Sequence, residues 1–376
     1  MLKPSFRTRD PLLGDIKANT IELSIIETPE MQRLRRLKQT GFLDMVYPGA
    51  THSRFSHSLG TMQISKEIFN NIYGKDNEEL YLAALLHDVG HAPFSHTSDE
   101  LLKKYLGKTH EIIGEEKIRE GRIKDIISGA GLSFARFVKY FRGEGFGEIF
   151  AGTFGADRID YLSRDAYYAG VNYGVIDQQR LKYKLGFYKG RLSIYDYDIS
   201  VAESMLIARY LMFYNVYKHH TGLIVSGMYN KAASAAIDNG EVDFKTAKDY
   251  DDLTFITELS KTKSAGEIVG RILERRLYKR AVYLDSDSVK SDTERDIKGR
   301  LEKAGEKEYV VITAKIKKSG DDVSVIDKKG NYVGTLSELS PIVRSLNEVI
   351  GRKTILLVAC SEDRVEKVKR IAEKSL

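Results

Sequence analysis

An imidazole and a carboxylate stand side by side at the end of an apolar helical run, in Leu82-Ala83-Ala84-Leu85-Leu86-His87-Asp88-Val89-Gly90-His91. Burying that pair among so many leucines is costly unless its charge is compensated. A metal ion is the compensation such a pair calls for, and the chain carries further donors to complete a site. Pro93-Phe94-Ser95-His96 follows closely, and six of the eight histidines fall between residues 52 and 110.

A chain of 376 residues can bury a large core, as one large domain or two smaller ones. Its apolar stretches are far short of a membrane span, so a soluble protein without a membrane partner is expected. The first ten residues hold Lys3, Arg7, Arg9 and Asp10 and no apolar segment follows, which is not a secretory pattern. Cys360 is the only cysteine, so there is neither an intramolecular disulfide nor a thiolate zinc site. A reducing cytoplasm fits that usage. The net charge of +6 is compatible with an anionic ligand, nucleotide or nucleic acid.

Hydrophobic spacing predicts mostly helix up to about residue 280. Thr28-Pro29 opens one helix. Others are expected over 58–73, 78–87, 112–121, 157–168 and 200–217. Between the last two, residues 185–195 alternate around Lys189-Gly190 and predict a β-hairpin. The segment 285–307 is dense in charge and reads as a linker or a solvated helix. Strand-like runs follow at 309–314, 323–326 and 354–359, with helical patterns near 340–350 and 362–375. The expected architecture is mainly α, a helical core with a small β-hairpin plus a small C-terminal α+β domain. Its expected parts are 1–284, a charged linker 285–307, and 308–376.

His57, His87, Asp88 and Asp157 form the candidate metal shell. Nitrogen and carboxylate ligands without thiolate suit Mn, Fe, Ni, Co or Zn and do not choose among them. Consecutive helical residues point about 100° apart, so His87 and Asp88 can both reach an ion off the helix end. An open coordination position would hold a water, whose lowered pKa makes it a nucleophile. Taken alone, the His-Asp pair reads more readily as an ordinary hydrogen-bonded core histidine than as a metal site.

Four ordered blocks carry a more specific signal. Tyr47-Pro48-Gly49-Ala50-Thr51-His52-Ser53-Arg54-Phe55-Ser56-His57-Ser58-Leu59-Gly60 resembles the first histidine block of HD-domain phosphohydrolases. The likeness is to the deoxynucleoside-triphosphate triphosphohydrolase branch, which includes the vertebrate sterile-alpha-motif HD enzyme. His87 to His96 resembles the second block, Thr109-His110-Glu111 the third, and Asp157-Arg158-Ile159-Asp160-Tyr161-Leu162-Ser163-Arg164-Asp165 the fourth. The resemblance spans about residues 5–280. It implies an all-helical HD core and a metal held by His57, His87, Asp88 and Asp157.

It further implies an acid–base group of His96, His110 and Glu111. Imidazole holds a transferable proton near neutral pH. The expectation is that His96 is the general acid, Glu111 its orienter, and His110 part of the phosphate site. Arg54, Arg158 and Arg209 are the expected phosphate clamps, because guanidinium forks match phosphate oxygens. Tyr161 and Asp165 follow Asp157 by four and eight residues along one helical face. By resemblance the tyrosine packs on the sugar and the aspartate accepts from the 3′-hydroxyl. Gln39 resembles another sugar contact, and Tyr217 a residue near base or sugar. As residues alone, the tyrosines also read as core aromatics.

The chain departs from the family pattern at Phe213, where a histidine is expected, which leaves base and sugar selectivity open. The regulatory nucleotide site of the vertebrate enzyme is only partly echoed: Glu27, Gln32 and Arg35 match in type, but Arg9 stands where that enzyme has asparagine. Dimers or tetramers are implied as well, and Mg can join the site with substrate phosphates. The expected function is metal-dependent hydrolysis of dNTPs to deoxynucleoside and triphosphate, with a metal-bound hydroxide attacking the α-phosphorus. Two alternatives remain: hydrolysis of a monophosphate or ribonucleotide, or a nucleic-acid-binding or regulatory module without turnover. The basic run 274–280 would serve the latter, although no nucleic-acid motif accompanies it.

Overall fold

Three helices with sharply defined starts and stops frame the molecule. In the first, Arg54–Tyr73, the Ser53 hydroxyl accepts from the Ser56 N–H, and Gly74 ends it at φ +64°, the left-handed position that suits glycine. The second, Glu78–Leu86, is capped by Asn77 and carries two glutamates against its positive end. The third, Ala156–Ala169, stops at Gly170 with φ +69°. They pack on one another, burying Leu59, Met62, Leu82, Leu85, Leu86, Ile159 and Leu162 in one cluster. The protein is mainly α, as the periodicity predicts.

The computed structural model describes residues 6–287, 289, 290, 292–315 and 323–376. The sequence reading of Lys3 lies outside these residues. Strands β1 (Phe6–Asp10) and β2 (Gly14–Ala18) form an antiparallel hairpin that the sequence reading did not anticipate. Strands β3 (Leu185–Tyr188) and β4 (Arg191–Tyr195) are the expected hairpin. Lys189 and Gly190 both have positive φ, the tight turn that matches strand twist.

The C-terminal third is distributed over two sheets. Strand β5 (Lys279–Ser286) and β6 (Tyr309–Lys315) flank β9 (Thr354–Cys360), while β7 (Ser324–Ile326) and β8 (Tyr332–Thr335) extend the β3–β4 hairpin. The boundary expected at residue 284 therefore falls inside β5, and the strands beyond 308 do not close a sheet of their own. Parallel pairing of Ile194 with Val325 ties the region to the hairpin. Non-local pairing of this kind leaves no trace in composition. The expected linker holds the helix Thr293–Lys303, whose Ile297 and Leu301 pack with Leu356, Val358 and Val368. On the opposite side, Val310 and Leu357 pack with Val225, Met228 and Ala232 of the helix His220–Asp238. Among the described residues, no helix is long and apolar enough to cross a membrane.

One carboxylate in this frame works against it above neutral pH. Both oxygens of Glu78 accept from the Asn19 amide, at 3.0 and 2.9 Å. Burial, with Glu22 nearby, pushes its pKa from 4.5 up to about 7. The folded state thus holds a proton that the unfolded chain gives up from about pH 4.5. Stability falls as pH rises through that window to about 7. Glu78→Gln, neutral throughout, should melt higher than the wild type at pH 8, with the gap closing at pH 4.5. Equal melting temperatures at pH 8 would contradict the shift.

Candidate metal centre and active site

The helix starts and ends described above converge at one point. His57 lies in the first turn of Arg54–Tyr73, Asp157 in the first turn of Ala156–Ala169, and His87-Asp88 just past Leu86. His57 Nε2 is 3.0 Å from Asp157 Oδ1 and 3.7 Å from Asp88 Oδ2. His87 Nε2 is 3.3 Å from Asp88 Oδ1 and 3.6 Å from Asp157 Oδ1. Donor atoms of His57, His87 and Asp88 lie within 4.8 Å of one another.

The other ring nitrogens are already committed. His57 Nδ1 donates to Asp160 Oδ2 at 2.8 Å, and His87 Nδ1 donates to the Ala84 carbonyl at 2.8 Å. That leaves both Nε2 atoms facing the carboxylates, placed to ligate a cation once deprotonated. Buried His87 Nε2 has no hydrogen-bond partner among the described residues. An orphaned imidazole nitrogen between two carboxylates fits a divalent cation. The charge balance agrees. Burial alone would drive His57 toward neutrality, but the carboxylates of Asp157, Asp160 and Asp88 override it and raise its pKa. Burial opposes ionisation of Asp88 and Asp157 too. Arg54 and the histidines hold Asp88 well below the usual carboxylate range, and His57 and His87 do the same for Asp157.

Beside this centre stands a second histidine group. His91 is 1% exposed and stacks on His110, with ring centroids 3.8 Å apart. Burial and the Arg54 cation keep His91 neutral by lowering its pKa well below 6.5. His96 is exposed, and its Nδ1 donates to Asp99 Oδ2 at 3.0 Å. Asp99 Oδ1 also lies 3.5 Å from His110 Nδ1. Burial would raise the Asp99 pKa, but the two histidines hold it below its usual range. The carboxylate in contact with His96 is Asp99, where Glu111 was the expected one. Glu111 opens the helix His110–Glu120, is exposed, and approaches His110 Nε2 at 3.3 Å instead. Asp99 sits three residues after His96 on a helical turn, a spacing that brings side chains together.

Both groups open into one cavity of about 1630 Å³. Its wall includes Gln39, Arg54, Tyr161, Asp165, Arg209 and Tyr217, but not Arg158, which is half-buried. Arg54 donates to Asp88 Oδ2 at 2.5 Å and to Ser95 Oγ at 2.6 Å. Arg209 lies over the Phe213 ring, 4.7 Å from its centroid, so the departure at Phe213 supplies an aromatic support for that cation. Residues Phe213–Tyr217 wind as a π-helical turn. Asp165 accepts from Tyr217 at 2.5 Å and pairs with His52 Nε2 at 2.7 Å.

The sequence reading passed over Asp99, Asp160 and Arg164 as functional residues. His52 and His91 were quoted in their blocks without a role. Away from the cavity, the Gln32 side-chain Oε1 accepts from Arg35 Nε at 2.8 Å, and Arg35 stacks on Phe55; Glu27 is exposed. The basic run at 274–280 is broken up: Arg276 pairs with Glu274 at 2.6 Å and Tyr278 is buried.

Comparison with known proteins agrees with this geometry. The HD domain matches residues 54–169, and the HD associated region matches 176–376. An uncharacterized protein of Methanocaldococcus jannaschii is 32% identical, over 96% of this chain and 80% of that protein. The human deoxynucleoside triphosphate triphosphohydrolase SAMHD1 is 26% identical, over 72% of this chain and 54% of that enzyme. The chain thus spans about half of the human relative. The crystal structure of a hypothetical protein from Aquifex aeolicus aligns with a TM-score of 0.83 and 31% identity, covering 99% of this chain and all of that one. A phosphohydrolase from Bacteroides thetaiotaomicron shares the fold, with a TM-score of 0.74 at 22% identity over 95% of this chain. With both halves matched and the metal-binding geometry in place, the chain belongs to the HD-domain phosphohydrolase family.

Proposed function

We propose that this protein hydrolyses dNTPs to deoxynucleoside and inorganic triphosphate in a metal-dependent reaction. The carrying observation is the pair of imidazoles, His57 and His87, with Nδ1 committed and Nε2 facing Asp88 and Asp157, beside a cavity lined by His87, Asp88, Asp157, Arg54 and Arg209. The cavity has room for a nucleoside triphosphate, and the human relative is named for this reaction.

One of Mn, Fe, Ni, Co or Zn, bound by His57, His87, Asp88 and Asp157, would supply Lewis acidity and an activated water, with Mg accompanying the phosphates. Arg54 and Arg209 bind and polarise phosphate oxygens. As water oxygen bonds to the α-phosphorus, the bond from phosphorus to the 5′-oxygen breaks. His96, held at Nδ1 by Asp99, gives its Nε2 proton to that oxygen. His91 and His110 form a stacked wall behind it. Tyr161 and Gln39 position the sugar, Asp165 accepts from the 3′-hydroxyl through a free lone pair, and Tyr217 packs near the base. Arg158 contributes to the field from outside the wall. A homo-oligomer, dimer or tetramer, in the cytoplasm belongs to the same reading.

The metal-loaded protein, offered the four dNTPs, the four NTPs and the corresponding monophosphates, should release triphosphate and deoxynucleoside from dNTPs, with NTPs turned over at least about tenfold more slowly. Phosphate released from monophosphates, with triphosphates untouched, would overturn the substrate assignment.

A further inference from the structure

We propose that the N-terminal hairpin β1–β2 is part of the metal centre, with Asp10, Arg164 and Asp160 acting as positioning residues on His57. The proposal rests on the metal reading of His57 and extends it beyond the ligands. The contacts form one unbroken line. Asp160 Oδ2 accepts from His57 Nδ1 at 2.8 Å. The Arg164 fork grips both Asp160 oxygens, Nε to Oδ2 at 2.7 Å and Nη2 to Oδ1 at 2.8 Å. Arg164 Nη1 then reaches Asp10 Oδ2 at 2.7 Å. The four side chains are 1%, 1%, 0% and 6% exposed, in the order His57, Asp160, Arg164, Asp10.

Asp10 joins two structures with one carboxylate. Its Oδ1 accepts the N–H groups of Leu12 and Leu13 and so closes the hairpin turn, while its Oδ2 holds Arg164. The hairpin lies outside the segment matched by the HD domain, residues 54–169, so the support comes from beyond the motif-bearing core. Gly60 leaves the space this line needs. A Cβ there would stand 2.0 Å from Asp160 Oδ1 and 2.6 Å from Arg164 Nη2. Stability alone does not call for such an array, because well-packed apolar residues commonly serve as well as a buried ion triad. Orientation of His57 does call for it. A carboxylate accepting Nδ1–H fixes the tautomer and the ring angle. The arginine fork fixes that carboxylate, and the hairpin fixes the arginine.

Titrating Mn²⁺ into metal-stripped protein by calorimetry, and recording the visible spectrum with Co²⁺, tests the line without reference to turnover. Asp160→Asn should weaken Mn²⁺ binding roughly 10- to 100-fold. Asp10→Asn and Gly60→Ala, which perturb the line at separate points, should each weaken it by about threefold or more and alter the Co²⁺ bands. His57→Ala is the reference. If it binds Mn²⁺ like the wild type, the metal reading fails and the proposal with it. If it loses Mn²⁺ while Asp10→Asn and Gly60→Ala keep wild-type affinity and spectrum, the positioning role fails and the metal reading stands. If neither of those two variants folds at 25 °C, the line is a folding element, and positioning is likewise overturned.

Discussion

The variant His87→Ala/Asp88→Asn is expected to bind no stoichiometric divalent metal and to lose at least about a thousandfold in turnover, while keeping its helical circular dichroism. The choice of substitutions follows from the contacts. Among the described residues His87 Nε2 has no hydrogen-bond partner, and Nδ1 bonds the Ala84 carbonyl in the last turn of its own helix. Removing the ring takes away a ligand together with its ring contacts to His57 and Phe150. Asp88 is different, because Arg54 is buried and donates to it. Removing that acceptor outright would leave an unpaired buried guanidinium, costing about 3–5 kcal/mol. Asparagine keeps an oxygen for Arg54 and removes the anionic ligand. The rate loss follows from losing Lewis acidity and the activated water together. Metal analysis beside a turnover assay checks both halves. A variant that is metal-free and fully active would remove the metal from the mechanism.

Gly90→Ala is expected to destabilise the protein by about 3 kcal/mol or more and to disable the site. The new methyl would stand 1.9 Å from the His110 carbonyl oxygen and 2.4 Å from the Gly114 nitrogen. Both are backbone atoms at the start of the helix His110–Glu120, so relief requires moving that helix as a whole. Overpacking of this kind commonly costs about 1–3 kcal/mol, and rigid backbone on the opposing side takes it to the upper end. Moving the helix also separates His110 from His91 and Asp99. Gly114→Ala is the control. Its tightest contact would be the Phe141 ring edge at 3.1 Å, a side chain that can turn aside. Urea denaturation of the two variants should show a large midpoint shift for the first and a small one for the second. An unshifted Gly90→Ala would contradict the close approach.

Much of the site is legible in the sequence because local spacing encodes it. The His87-Asp88 pair at the end of a buried leucine run places two candidate ligands by itself, whereas the helix expected from residue 58 begins at Arg54, behind the Ser53 cap, and so takes in His57. The hairpin at Lys189-Gly190 is equally local. What is hidden is long-range. The first hairpin alternates Arg7, Arg9, Asp15 and Lys17 on its open side and offers little apolar pattern to detect. Asp10 and Arg164 are 154 positions apart and meet only in the folded chain. Asp99 meets His96 because three residues along a helical turn bring the two side chains together, while Glu111 lies against its own neighbour His110. Strands β7 and β8 join the β3–β4 hairpin, although their sequence reads as part of a separate appendage.

Hydrolysis of a dNTP in ¹⁸O-water separates the proposed metal-dependent cleavage at the α-phosphorus from cleavage at any other bond. One ¹⁸O in the released triphosphate and none in the deoxynucleoside, with turnover abolished by chelation and restored by a transition metal, is the predicted result. Label appearing in inorganic phosphate or in a nucleoside monophosphate, or turnover indifferent to chelation, would contradict it.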